Sequence, residues 1–220
     1  MISLVGGLRR RQRISYKPPA GGASGPAFRA ASSTTTIAGG GGFTLTAPTG
    51  TAVGDVLIVQ MYVDSDPKSG VAGTAPAGWT QRGIGDDSNY PFLPWRTYSR
   101  IATGSDSFAW TGGANWMKLT AAMIAVSGGT AVDVVGSRTL TATASSVTTT
   151  TSPTLLVGLW ATLENSTAAP ASMTARATVS QTGNSQVIAT ESLSASGATG
   201  TRVSPTSSVA VRYSQLIAVK

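Results

Sequence analysis

Neither cysteine nor histidine occurs among the 220 residues of this chain. Without cysteine there is no disulfide framework and no thiolate metal site. Without histidine the commonest general base and the commonest metal ligand are both missing. Charge is scarce too: 11% of residues carry one, against about 25% in an average globular domain. No run of about 18 apolar residues occurs, so no transmembrane helix is expected. The apolar start, Met1 to Leu8, has its arginines after it rather than before it, so no secretory signal is read. What is present is a chain rich in Gly, Ala, Ser and Thr, with 41% apolar residues. That is enough to bury a core, and more than a disordered polymer carries.

The net charge of +7 is concentrated at one end. Arg9, Arg10, Arg11, Arg13, Lys17 and Arg29 all precede the first acid, Asp55. Beyond Arg29 the cations and acids nearly balance. Residues 1–42 read as an extended, flexible, basic N-terminal arm. Pro18-Pro19-Ala20-Gly21-Gly22 and the run Gly39 to Gly42 bracket a Ser/Thr stretch, and no strand or helix period extends far. Ordering such a segment costs about 1 kcal/mol per residue, which a partner surface would offset.

From Phe43 the pattern is that of strands. Residues 55–63 and 154–160 are apolar on both faces, as buried central strands are. Residues 92–101, 116–126 and 186–190 are β-favouring runs. In 208–220, Val209, Val211, Tyr213, Ile217 and Val219 share one face, which only Gln215 interrupts. Ala121 to Ala125 has helical propensity, but its β-branched neighbours favour a strand.

Four segments of the second half echo the first in the same order. Leu57-Ile58-Val59 pairs with Leu155-Leu156-Val157, and Ala75 to Arg82 with Ala169 to Arg176. Ile101-Ala102-Thr103 pairs with Ile188-Ala189-Thr190, and Ile124-Ala125-Val126 with Ile217-Ala218-Val219. The fold expected is all-β: an antiparallel, jelly-roll-like β-sandwich over 43–220. Its pseudo-repeats span about 50–127 and 150–220, so that each half buries an apolar face against the other. Two small domains in tandem, joined through the Ser/Thr run at 145–152, are the alternative.

The runs Val53-Gly54-Asp55-Val56-Leu57-Ile58, Ala77-Gly78-Trp79-Thr80 and Tyr98-Ser99-Arg100-Ile101-Ala102 resemble a β-sandwich domain of actinobacteriophage virion structural proteins. The resemblance covers roughly residues 50–220 and leaves the arm out; the second half lacks the Gly-Trp of the first. It implies a setting, the virion assembled in the host cytoplasm, as a minor tail or capsid-associated component.

The candidate sites follow from these readings. No Gly-x-Ser-x-Gly or phosphate loop occurs, so no enzyme, no cofactor and no metal is expected. Asp64/Asp66 and Asp86/Asp87 with Asn89 read as solvated turns before they read as calcium ligands. Trp160 reads as core. Tyr90 and Phe92, in a Pro-bearing loop, and Trp110 and Trp116, flanking a hairpin loop, are the candidate surface aromatics. The partner-binding set is Arg9, Arg10, Arg11, Arg13, Lys17 and Arg29. It has three readings: docking on acidic patches of other virion proteins, a solvated tail, and phosphate contacts with nucleic acid. Docking is favoured and nucleic acid disfavoured, since only Tyr16 and Phe28 lie near for stacking. The expected function is a multi-copy tail or tail-tip protein without membrane association. The alternatives are a capsid decoration protein and a receptor module that binds a host glycan.

Overall fold

The computed structural model describes residues 25–37, 42–65, 73–87, 90–112, 116–206 and 211–220. No helix occurs among them, and so none that could cross a membrane. The first half contains β1 (Ala27–Ile37), β2 (Phe43–Thr46), β3 (Val56–Ser65), β4 (Gly73–Thr74), β5 (Thr80–Asp87), β6 (Tyr90–Ile101), β7 (Ser107–Gly112) and β8 (Trp116–Ser127). The second contains β9 (Val132–Val135), β10 (Thr143–Ala144), β11 (Thr148–Thr149), β12 (Thr154–Thr162), β13 (Thr174–Gln181), β14 (Asn184–Leu193), β15 (Gly197–Ala198), β16 (Arg202–Val203) and β17 (Val211–Val219).

Two large antiparallel sheets form the centre. Their orders are β1-β8-β3-β6-β5 and β9-β17-β12-β14-β13, the same succession drawn from successive halves of the chain. They face each other across a core that includes Val56, Ile58, Trp95 and Ile124 from one sheet and Leu155, Val157, Ile188 and Ile217 from the other. Strands β3 and β12 are apolar on both faces because each sheet is also covered outside. Over the first lies the small sheet β2-β7-β4, which brings Phe43, Phe108 and Trp110 onto Leu57, Val59 and Tyr98. Over the second lie the pairs β10-β16 and β11-β15, with Ala142, Ala144 and Val147 against Leu156, Trp160 and Val187. In the first half, β1-β8-β3-β6-β5 is covered by β2-β7-β4.

The strand ladders align the halves residue by residue. Thr80 faces Ser99 and Thr174 faces Thr190. Each entering turn is closed by the same hydrogen bond, Trp79 N to Pro76 O and Met173 N to Pro170 O. Each following arginine sits in a bulge and donates from Nε to the hydroxyl opposite: Arg82 to Ser99 at 2.7 Å, Arg176 to Thr190 at 2.8 Å. The sequence pairings 75–82 with 169–176 and 124–126 with 217–219 agree with this alignment. The other two do not. Leu57 packs outward like Leu156, not Leu155, so that pairing is one residue off. Leu57 opposes Arg100 while Leu156 opposes Glu191, which puts Ile101 level with Ser192 rather than Ile188. Short apolar strings match by composition, whereas register is set by which face they bury.

Other expectations are corrected. Residues 27–37, read as part of the arm, form β1 and pair with β8 from Ala27–Ser127 to Ile37–Lys118. Its runs of Ala, Ser and Thr gave little period to detect. The run at 145–152 is not a linker, since it carries β11 and part of the outer cover. Trp110 and Trp116 do not flank a hairpin: β7 belongs to the small sheet and β8 to the large one, so the chain crosses between layers there.

Polar side chains join the two large sheets. Gln60 donates from Nε2 to Trp160 O (3.0 Å), and Gln186 donates to Gln60 O (3.4 Å). Thr120 donates to Asn184 Oδ1 (3.1 Å) and Thr97 to Gln215 Oε1 (2.9 Å). All of these side chains are buried. Such bonds fix how the sheets sit, because sliding would strand a buried polar group, at about 1–3 kcal/mol each.

Candidate functional site

The basic segment can be followed from the residues that join it to the body. Arg9, Arg10, Arg11, Arg13 and Lys17 lie outside the described residues. Arg29 does not belong with them as a free contact. Its guanidinium forks onto Asp55, Nε to Oδ2 at 2.6 Å and Nη2 to Oδ1 at 3.1 Å, while Asp55 also accepts the Ala52 amide. That pair ties β1 to the loop before β3. Ser127 donates to Ala27 O at 3.2 Å and closes the start of the same strand.

The aromatic candidates divide. Trp110 is 2% exposed and packs on Phe43, with ring centroids 6.0 Å apart, so it is core rather than surface. Tyr90 and Phe92 lie in β6 and Trp116 opens β8; none is in a loop, and their side chains are outside the description. Trp160 is core, as expected, and donates to Ala142 O. Asp86 and Asp87 end β5 rather than occupying a turn, and Asn89 lies outside the described residues. No group of three or more potential metal ligands occurs among the described residues. No protein-family model, curated protein or solved structure matches the chain.

A site that the sequence reading missed lies along one side of the sandwich, at the seam between the large sheets. There residues 81–84 of β5 face residues 136–138, with Gln215 between them, around a groove of about 400 Å³. Gln215 is 1% exposed and builds the floor. Its Nε2 donates to Arg82 O (3.0 Å) and to Gly136 O (2.9 Å), while its Oε1 accepts from Thr97. The walls are therefore held at a set spacing by one side chain. Gly83 lets them approach, since a Cβ there would lie 2.8 Å from the Gln215 oxygen. Gly136 lets its own wall sit close on the body, since a Cβ there would meet Val147 at 2.8 Å and Leu216 O at 3.0 Å. Arg138 lies over the Tyr213 ring at 5.6 Å, and that ring stacks on Trp95. Arg82 rises from its bulge beside it, and burial lowers its pKa from the usual guanidinium value.

The opposite seam is closed. There Arg176, the counterpart of Arg82, lies 4.5 Å over the ring of Phe28. The residue in Phe28's place is Val132, because Phe28 pairs with Val126 and Val132 with Val219. A second hollow, lined by Val132, Ser99 and Arg82 among others, remains where the ring would be. The strands differ as well. β1 runs along β8 as a strand to Ile37, whereas β9 ends at Val135 and the chain stays on β17 through Gly136 N to Leu216 O and the Thr139–Ser214 bridge, with Arg138 between them. Two signals for this site were in the sequence: the repeat that aligns Arg82 with Arg176, and Gln215 on an apolar face.

Proposed function

We propose that this protein is a non-enzymatic structural component of a bacteriophage particle, a minor tail or tail-tip subunit. It docks on neighbouring virion subunits through the basic segment before β1. The supporting observation is the join between that segment and the body: the segment leads into a strand clamped by Arg29–Asp55 and paired along β8. A contact made through this segment tethers the sandwich at the start of a clamped strand, so the pull is delivered to the body and not to a loose end. The body is almost neutral, so the concentrated field of Arg9 to Arg13 dominates approach to an acidic neighbour. Copy number in a particle multiplies such contacts by avidity.

The test is deletion of residues 1–24, which leaves β1 whole, with the composition of purified particles read by mass spectrometry. The deleted protein should fold, give a strand-type circular dichroism spectrum, and be missing from particles. Incorporation at the normal copy number would refute docking through this segment. Labelling on intact particles should decorate tails; labelled heads would transfer the protein to the capsid-decoration alternative.

A further inference from the structure

The side groove carries an inference independent of the virion reading. Two guanidinium groups, Arg82 and Arg138, border it, and among the described residues no carboxylate does. Elsewhere in the body the described arginines and lysines often have an acid beside them: Arg29 with Asp55, Arg100 with Asp106, Arg202 with Glu191, Lys220 with Asp133. Arg82 gives only its Nε, to Ser99, which leaves the two outer nitrogens of its fork without a partner among the described residues, at the edge of the groove. Arg138 Nη1 is shut away from solvent and has no hydrogen-bond partner. Burying a cationic donor without a partner is costly, and guanidinium does not escape by deprotonating. At the opposite seam Arg176, the counterpart of Arg82, is met by an aromatic face as well as a hydroxyl, whereas Arg82 has the hydroxyl alone among the described residues.

We infer that the groove between Arg82 and Arg138 is a binding site for an oxyanion, a phosphate or carboxylate group carried by an acidic ligand. Paired guanidinium forks match the planar or tetrahedral oxygens of such groups and form charge-assisted bonds with them. The groove, at about 400 Å³, admits the group with several waters, each with a share of about 30 Å³. The Gln215 floor supplies what a chance pair of surface arginines lacks, a fixed distance between the two walls. Ile84, 49% exposed on the rim, offers an apolar contact to the rest of the ligand.

The experiment is a nitrogen-15 titration of the full-length protein with inorganic phosphate in one arm and succinate in the other. The signals followed are the Nε–H of Arg82 and Arg138, the Gln215 side-chain amide, and the Gly136 and Ser137 amides. At least one arm should give saturating shifts at these groups, and the arm with the tighter curve identifies the preferred oxyanion. Arg138→Gln should weaken binding at least about tenfold, as loss of a charged hydrogen bond implies. Arg176→Gln removes the same charge from the closed seam and should leave the curve unchanged. An unchanged Gln215 side-chain signal in Arg138→Gln shows that the floor has survived. Absence of saturation in both arms would overturn the inference, as would equal weakening by the two substitutions.

Discussion

The two side seams of the sandwich are built from equivalent strands and end differently. At one, β1 continues along its neighbour and Phe28 fills the space under Arg176. At the other, β9 stops at Val135, Val132 stands in place of the ring, and Arg82 borders open space. Strand order alone therefore does not decide where a β-sandwich has a cleft. Strand length and one side chain at the edge decide it, because sheet faces bury themselves while edges must be finished locally.

The comparison can be broken most severely at Gln215. Gln215→Leu strands two carbonyls and the Thr97 hydroxyl, and should cost about 3 kcal/mol in denaturant unfolding; its counterpart at the closed seam is an alanine, Ala122. A loss below about 1 kcal/mol would mean that the floor is not what spaces the walls. Phe28→Val makes the closed seam resemble the open one. It should cost about 1–2 kcal/mol, for a half-buried ring and its contact with Arg176. A new hollow beside Arg176 should be visible in a crystal structure of the variant.

A smaller effect concerns acid. Burial would raise the Asp106 pKa, but the Thr103 and Gly104 amides, the Thr103 hydroxyl and Arg100 outweigh it and hold the carboxyl below its usual 3.8. Asp133 is likewise lowered against burial, by the Thr150 hydroxyl and amide and by Lys220. A depressed folded pKa adds stability that is complete above the unfolded value and lost as pH falls through the folded one. Both halves should thus weaken below about pH 4. Asp133→Asn should flatten that dependence in unfolding curves taken between about pH 2 and 5, and an unaltered slope would remove Asp133 from the account. The smallest effect belongs to Val132→Phe, which should change stability by less than about 1 kcal/mol, since the hollow beside Arg82 receives the ring. Marked destabilisation would show that the two seams differ in more than the residue at this position.

The central strands β3 and β12 were legible because they carry dense apolar runs that suit a doubly covered sheet, whereas β17 read as half-buried by its alternation and is buried on both faces from Tyr213 to Val219. The edge strand β1 was not, because successive runs of Ala, Ser and Thr look the same in an arm and in a strand that borrows its order from β8. Trp110 was misplaced since its position depends on which layer β7 joins, a matter of contacts distant in sequence. Arg29 looked like part of a basic tract until Asp55 was found opposite it. The groove was hidden for a related reason: Arg82, Arg138 and Gln215 come from separate segments, and nothing local marks them as neighbours. Gln215 alone was visible, as the odd polar residue on an apolar face, and the structure gives it three partners.

The linkage of both halves in one polypeptide has a consequence for what the molecule is free to become. Were the halves separate identical copies related by a two-fold axis, any residue placed at one seam would appear at the other. A filled edge and an empty one could not coexist, and a cleft would always come in duplicate. Joined end to end, the halves escape that constraint, and each position can vary without its twin. The single polypeptide can hence keep one flank sealed while the other stays available to a visitor.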